Sequence, residues 1–448
     1  MATTNYSHAF LVGCFNGELN PIQLENDPQW GKAAKMPNKG EHGYDNLCTV
    51  YYKSHVDAML EAEIQERPRF LQSVSHYIHK VQDSLQSVDI VYIKEYEDDE
   101  GKINKNTINL NNYKLKVLAL HIYFFPLSTV LFAIEIDDSN SDINELTLGH
   151  FCLMNWIWEG SQYFDESTKS AFRTILQPFR DYLKDKTLSN LMNGGNKLKI
   201  FQTIQLESEA FTDETLYEIA TNSPIGCVNG AMWLSPSKSY YDNIIKENSV
   251  SAFKSWKGLA LMDSFTILGT PNGFREDLCN EVYFPLIYLR CFVEKNFCFS
   301  RNNNYREDKV KGNLSREIAQ MEKYYFYKNI SYNFLPNLLY EAMVKGLGIK
   351  EEREELSKQI KEKDEKNSSL LLGAVSVFAI FSVVYDFYSL IKAWSAKAVY
   401  DISDSILPIM NSTEQDSGEL PIFAFTLSVL ALITTITVIW YLKSQRRR

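Results

Sequence analysis

The sequence predicts an α+β domain, with a mixed or antiparallel sheet and helices, followed by a long stalk helix and a two-helix transmembrane hairpin. In the first 300 residues, β-branched and aromatic runs interrupt helical patterns. Residues 350–366 are densely charged, and two apolar stretches occupy residues 370–391 and 420–442. Each stretch has about 22 residues, which at about 1.5 Å per residue covers a hydrocarbon core of roughly 30 Å.

A buried core helix is the alternative for each apolar stretch. Soluble helices of this length normally carry a polar face, whereas the second stretch has no charge and the first has only Asp386. Lys and Arg flank the pair of stretches, and the segment between them is acidic. The positive-inside rule therefore predicts an inner-membrane protein with two spans and both termini in the cytoplasm. The first residues show no secretory signal peptide.

These patterns divide the chain into six segments. In order, they are a cytoplasmic α/β domain (1–300), a helical stalk (301–369), the first span (370–391), an acidic extracytoplasmic loop (392–419), the second span (420–442) and a basic cytoplasmic tail (443–448).

Charge and cysteine content argue against a nucleic-acid-coating protein and against a zinc knuckle. The net charge of −10 argues against direct nucleic-acid binding, and the seven cysteines contain no CxxC pair that would indicate a zinc knuckle. His76 and His79 lie three residues apart on a helical pattern around residues 56–85, where they either flank a metal or face solvent. We favour the solvent-exposed helix, because no carboxylate or cysteine follows at matching spacing.

Four strands are predicted in the cytoplasmic domain. Three lie in 88–96, 113–125 and 128–136, and the short connection at Pro126 makes the last two an antiparallel hairpin. A fourth strand is predicted in 197–206, and helices in 145–192, 252–269 and 280–299. No Walker A loop, GxGxxG, HExxH or GxSxG motif occurs, so no catalytic residues and no cofactor are predicted.

The segment before the first span predicts a continuous helix. Leu338, Leu339, Ala342 and Met343 form a helical stripe, which the glycines at 346 and 348 can kink. Of the 17 residues in 350–366, 13 are charged, seven acidic and six basic, and neither Pro nor Gly interrupts them. A single helix over 350–391 would be on the order of 63 Å long.

The layout of the chain resembles the CorA family of divalent-cation transporters. The resemblance rests on the run SYNFLPNLLYEAMVKGLGIKEEREELSKQI (331–360), followed by two spans, an acidic outer loop and a basic tail. It implies a homopentamer, a funnel-shaped cytoplasmic assembly and a pore lined by the first span. One difference is large, because metal-transporting members end the first span with Gly-Met-Asn and this chain reads DFYSLIKAWSAK there.

Members without that motif are similar to CorA-like membrane effectors of type III CRISPR systems, which respond to a nucleotide second messenger. The expected function is therefore an antiviral oligomeric channel in the lipid membrane, gated by a nucleotide that the cytoplasmic domain senses. A divalent-metal transporter with an atypical mouth is the alternative, and a divalent cation then replaces the nucleotide as ligand. A third hypothesis is a membrane-anchored enzyme, which the missing catalytic motifs oppose.

Four residues of the first span are candidates for lining the pore. Ser382, Tyr385, Asp386 and Ser389 follow the spacing i, i+3, i+4 and i+7, which places them on one helical face. A carboxylate is tolerable in a span if it faces water, and a ring of copies would attract cations. The alternative is that Asp386 only marks the outer end of the span and extends towards the headgroups.

Overall fold

The structure is a computed structural model that describes the α+β domain and part of the chain after it. The described residues are 3–15, 21–32, 75–97, 102–109, 113, 115–125, 129–156, 164–183, 198–230, 235–306, 317–319, 321, 329–362, 373, 375–378, 380–382, 384–385, 388–389 and 392. The chain divides into two compact units, one of residues 1–303 with 317–354 and the other of residues 304–316 with 355–448.

A mixed sheet forms the centre of the first unit. Its ten strands are β1 (Thr4–Phe15), β2 (Gly31–Lys32), β3 (Ser75–Lys80), β4 (Ser87–Val88), β7 (Leu115–Phe125), β8 (Thr129–Asp137), β9 (Lys199–Leu206), β10 (Ser249–Val250), β11 (Trp256–Ala260) and β12 (Ser264–Gly269), while β5 (Val91–Glu97) and β6 (Ile103–Asn109) pair as a separate hairpin. The order across the sheet is β10-β11-β12-β9-β1-β8-β7-β3-β2, with β4 also on β7. The β12–β9 pair is parallel, and the other strand pairs of the described sheet are antiparallel.

Helices accompany the sheet along the chain. They are α1 (Ile22–Glu25), α2 (Asp83–Gln86), α3 (Ile143–Trp156), α4 (Glu166–Ile175), α5 (Gln177–Leu183), α6 (Asp213–Thr221), α7 (Lys238–Asn248), a π-helix (Leu278–Tyr288), α8 (Leu289–Arg306), α9 (Phe334–Gly346) and a helix over 349–362. Apolar residues of α3 to α6 join one face of the sheet in a single core. The π-helix lies on the other face, where the rings of Phe284 and Phe10 stack with centroids 3.8 Å apart.

Several sequence predictions agree with these elements. The strands at 113–125, 128–136 and 197–206 correspond to β7, β8 and β9, and β7 and β8 form the predicted antiparallel hairpin. The α9 helix covers the predicted stripe and ends at Gly346, and Gly348 has a positive φ of 68° before the next helix begins. A Cβ on Gly346 would lie 2.4 Å from the Ala260 carbonyl oxygen, so only glycine allows α9 to approach β11 this closely.

Two predictions about the first unit are wrong, and one central strand was not predicted. His76 and His79 lie on strand β3, where spacing of three places them on opposite faces, and not on a helix. The segment 252–269 contains the β11–β12 hairpin, because β12 pairs with β9 and tertiary pairing outweighs local helix preference. The first 85 residues contain β1, which lies in the middle of the sheet and was not predicted.

The described part of the chain contains no helix that is both long enough and apolar enough to span a bilayer. The second apolar stretch, the acidic loop and the basic tail lie outside the described residues. In the first apolar stretch, every described position from 373 to 389 is helical and exposed.

Candidate functional site

The residues predicted to line the pore are described only in part. Ser382, Tyr385 and Ser389 are exposed helical positions, whereas Asp386 lies outside the described residues. Eight large apolar side chains in this stretch are between 40% and 62% exposed, including Val375, Ile380 and Val384. Side chains of this kind are normally withdrawn from water, so this exposed stretch needs an apolar environment that the described chain does not supply.

A buried cluster of charged residues joins the sheet domain to the helix that begins at residue 349. At its centre is Glu294 of α8, which has no exposed surface. Arg353 of the 349–362 helix donates a hydrogen bond to Glu294, and Arg290, one turn before Glu294, lies 3.6 Å from it. Tyr340 of α9 donates its hydroxyl to the same carboxylate at 3.2 Å. We call these four residues the Glu294 clamp.

The buried Glu294 carboxylate depends on the charges of the two arginines in the clamp. Burial raises the pKa of Glu294 above its ordinary value, and the charges of Arg353 and Arg290 offset this only in part. The pKa of the Arg353 guanidinium is raised because the attraction of Glu294 outweighs the effect of burial. A carboxylate this deeply buried is stable only while its cationic partners stay in place.

A second contact holds the same two helices together. Asn302 of α8 is almost fully buried and donates from Nδ2 to the backbone oxygen of Glu352 at 3.1 Å and to its carboxylate at 2.6 Å. Residues 352 and 353 are therefore both fixed to α8. A displacement of α8 would be felt directly at the start of the 349–362 helix.

The other end of this helical assembly contacts the sheet. Asn280 of the π-helix donates to the Tyr6 hydroxyl on β1 and accepts from Thr203 of β9 at 3.1 Å. The π-helix continues without a break into α8, which carries Glu294. A chain of direct contacts thus runs from the central strands through the π-helix and α8 to Arg353.

A row of titratable side chains crosses the same face of the sheet. His76 on β3, His121 on β7, Glu135 on β8 and His8 on β1 contact one another in that order. We call these four residues the His–Glu row. Sequence inspection missed it because its members are spread between residues 8 and 135, although His121 and Glu135 stand out as polar residues in otherwise apolar strands.

A buried cluster of polar side chains lies on the face of the sheet opposite to the His–Glu row. His150 of α3 contacts Asp138 through Nε2 at 2.5 Å and the Gln202 side-chain oxygen through Nδ1 at 2.7 Å. Gln202 donates from Nε2 to the Ile219 carbonyl and to Thr266, so its oxygen is the atom that faces His150. His150 therefore carries hydrogen on both ring nitrogens and forms an imidazolium–carboxylate pair with Asp138.

Asp138 and His150 have no exposed surface, so a substrate cannot reach the pair and we interpret it as structural. Burial alone would raise the pKa of Asp138, but the charge and hydrogen bond of His150 lower it below its ordinary value. Among the described residues, no group of three or more His, Cys, Asp or Glu side chains is arranged to hold a metal ion.

The chain was compared with protein-family models, with curated proteins and with solved structures, and none of them matches it.

Proposed function

We propose that this chain is one subunit of an oligomeric membrane pore that opens when a ligand binds the N-terminal sheet domain. The observation that carries the proposal is the Glu294 clamp, which fixes the sheet domain to the helix that leads along the chain to the first apolar stretch. A ligand that binds one arrangement of the domain more tightly must favour that arrangement by the same difference in binding free energy. The clamp gives such a difference a fixed contact with the start of the 349–362 helix, which precedes the first apolar stretch in the chain.

The exposed apolar helix is the second support for a pore. Its described positions from 373 to 389 are exposed, and eight of them carry large apolar side chains. Lipid and neighbouring subunits would cover such a surface. Because two spans cannot enclose a pore, the assembly has to contain several copies of the chain, and the resemblance to CorA proteins suggests five.

The ligand we propose is a nucleotide second messenger, and the biological role is antiviral defence that disturbs membrane integrity or ion balance. This part of the proposal rests on the resemblance to CorA-like effectors of type III CRISPR systems. The alternative is a divalent-metal transporter. The overall layout of the chain supports this alternative, and the missing Gly-Met-Asn motif argues against it.

Two measurements on the full chain in detergent test these proposals. Native mass measurement should give a mass several times the 51.7 kDa of one chain, and a clean monomer would contradict the pore. The midpoint temperature of thermal unfolding should rise with a cyclic oligoadenylate or a related adenylated nucleotide, because a ligand that binds the native state stabilises it. A shift with Mg²⁺ alone, and none with nucleotides, would favour the transporter.

A further inference from the structure

The His–Glu row joins four neighbouring strands of the sheet by side-chain contacts. His76 Nε2 lies 3.0 Å from His121 Nδ1, His121 Nε2 lies 3.0 Å from one Glu135 oxygen, and His8 Nε2 lies 3.1 Å from the other. The strands that carry them are β3, β7, β8 and β1, which are adjacent in the sheet. The row therefore connects the central strand β1 with β3, close to one edge.

The directions of these hydrogen bonds fix how many protons the row can hold. Glu135 accepts from Nε2 of His121, so a neutral His121 has a lone pair on Nδ1, which accepts the Nε2 hydrogen of His76. If His121 takes up a further proton on Nδ1, His76 has to present its own lone pair there. The two rings together can share one positive charge across this contact, and a second charge places two N–H groups 3.0 Å apart facing each other.

His76 is the member of the row at which this limit is reached. Burial, and then the nearby His121, lower the pKa of His76 well below its ordinary value. Its ring is also stacked on Tyr123, with centroids 4.1 Å apart. His76 therefore stays neutral in the closed arrangement and takes up a proton readily only when it leaves this position.

Strand β3 lies near one edge of the described sheet. Beyond β3 the described sheet contains only the two-residue strand β2, which pairs with Tyr77 and Ile78. Within the described sheet, most of β3 therefore has a paired strand on one side only, which is β7. The contact from His76 to His121 adds a side-chain link to this pairing.

The other charged and titratable groups near the row stabilise its inner members. Burial alone would raise the pKa of Glu135, but the hydrogen bond from His121 and the close contact with His8 lower it below its ordinary value. At the far end of the row, the ring of His8 stacks on that of Tyr6, and a charge on His8 acts to lower the pKa of the Glu276 and Asp138 carboxyls. On the β3 side, the described groups that act on His76 are His121 and Glu135.

We propose that the His–Glu row is a proton-operated latch that holds β3 on the sheet at neutral pH and releases it on acidification. The latch opens at the contact between His76 and His121, because a second positive charge cannot be accommodated there. It gives the sheet domain a response to pH that is separate from the proposed pore and its ligand.

The sign of the effect follows from the free imidazole. An exposed histidine binds its proton near pH 6.5, whereas His76 in the closed latch does not. The open form therefore binds one proton more than the closed form below about pH 6.5. The equilibrium constant for opening then rises by up to about tenfold for each unit by which the pH falls. Above that pH both forms are neutral at His76 and the dependence disappears.

Hydrogen–deuterium exchange of the full chain in detergent, between pH 7.5 and 5.5, tests the latch. After correction for the intrinsic exchange rate, the peptide that covers β3 should exchange faster at low pH. The equilibrium constant for opening obtained from this exchange should rise by up to about tenfold for each pH unit below 6.5. In His76→Phe, which keeps a ring against Tyr123 but cannot be protonated, this pH dependence should disappear.

His79→Gln is the matched control. His79 lies on the same strand but on the other face, where its Nδ1 contacts the Gln29 carbonyl oxygen at 2.9 Å. We expect this variant to keep the wild-type pH dependence. Exchange of β3 in the wild type that does not change with pH would overturn the latch, even if His76→Phe fails to fold. The same slope in His76→Phe and His79→Gln would also overturn it.

Discussion

Arg353 pairs with Glu294, a carboxylate that has no exposed surface and whose pKa is raised by burial. Replacing Arg353 by Gln leaves that carboxylate with Arg290 as its cationic partner at 3.6 Å. We expect Arg353→Gln to lower the free energy of unfolding by about 3 kcal/mol or more, as when one partner of a buried pair is removed. Urea unfolding of the detergent-solubilised chain measures it.

Lys350→Gln is the control for this variant. Lys350 also pairs with a carboxylate on the same helix, Glu354, but both side chains are at least 70% exposed. The change in the free energy of unfolding should stay within about 0.5 kcal/mol. Equal losses in the two variants would mean that the Glu294 clamp contributes nothing beyond an ordinary surface pair.

The pair of Asp138 and His150 leads to a second prediction, which compares the stability of two variants of the pair. In Asp138→Asn the new amide can donate to Nε2 of a neutral His150, whose Nδ1 still donates to Gln202. We expect this variant to lose less stability than His150→Phe, which removes the cationic partner of the buried carboxylate at a cost of about 3–5 kcal/mol. Thermal unfolding of both variants at pH 7 gives the comparison.

The same pair also predicts part of the acid sensitivity. Because His150 lowers the pKa of Asp138, the pair stabilises the native state above the ordinary Asp pKa of about 3.9, and this contribution is lost as the pH falls below it. Asp138→Asn should therefore show a flatter dependence of stability on pH below about 4. An unchanged dependence would contradict the imidazolium–carboxylate assignment.

Local sequence patterns predicted the strands whose character is visible in one stretch of residues. The β7 and β8 runs are apolar and β-branched and are joined by a short connection, so their antiparallel pairing needed no long-range information. The α9 helix likewise carries its own apolar stripe and ends at a glycine.

Strand β1 was missed because it is buried on both faces and so lacks alternation of polar and apolar residues. Glycine is typical of turns, yet Gly13 lies in mid-strand opposite Phe132, where a Cβ would collide with that ring at 2.1 Å. The His–Glu row could not be predicted for a related reason. Only the register of β3, β7, β8 and β1 brings its members together, and register is a property of the whole sheet.

Asp386 gives a prediction for the pore itself, as a member of the face that also contains Ser382, Tyr385 and Ser389. If copies of Asp386 form an acidic ring, Asp386→Asn should reduce the preference for cations over anions while expression and assembly stay intact. Reversal potentials in a planar bilayer measure the preference, and Asp404→Asn in the acidic loop is the control. A preference that survives Asp386→Asn would mean that this carboxylate only marks the end of the span.

Ion flux from proteoliposomes that contain the full chain is the direct test of a ligand-gated pore. With the N-terminal domain facing the nucleotide, we expect a cyclic oligoadenylate or a related adenylated nucleotide to change the flux of the wild type. Arg353→Gln should bind the same nucleotide, as thermal shift reports, but its flux should respond less because the Glu294 clamp is broken. Flux that no nucleotide changes, and that Mg²⁺ alone controls, would contradict a ligand-gated pore.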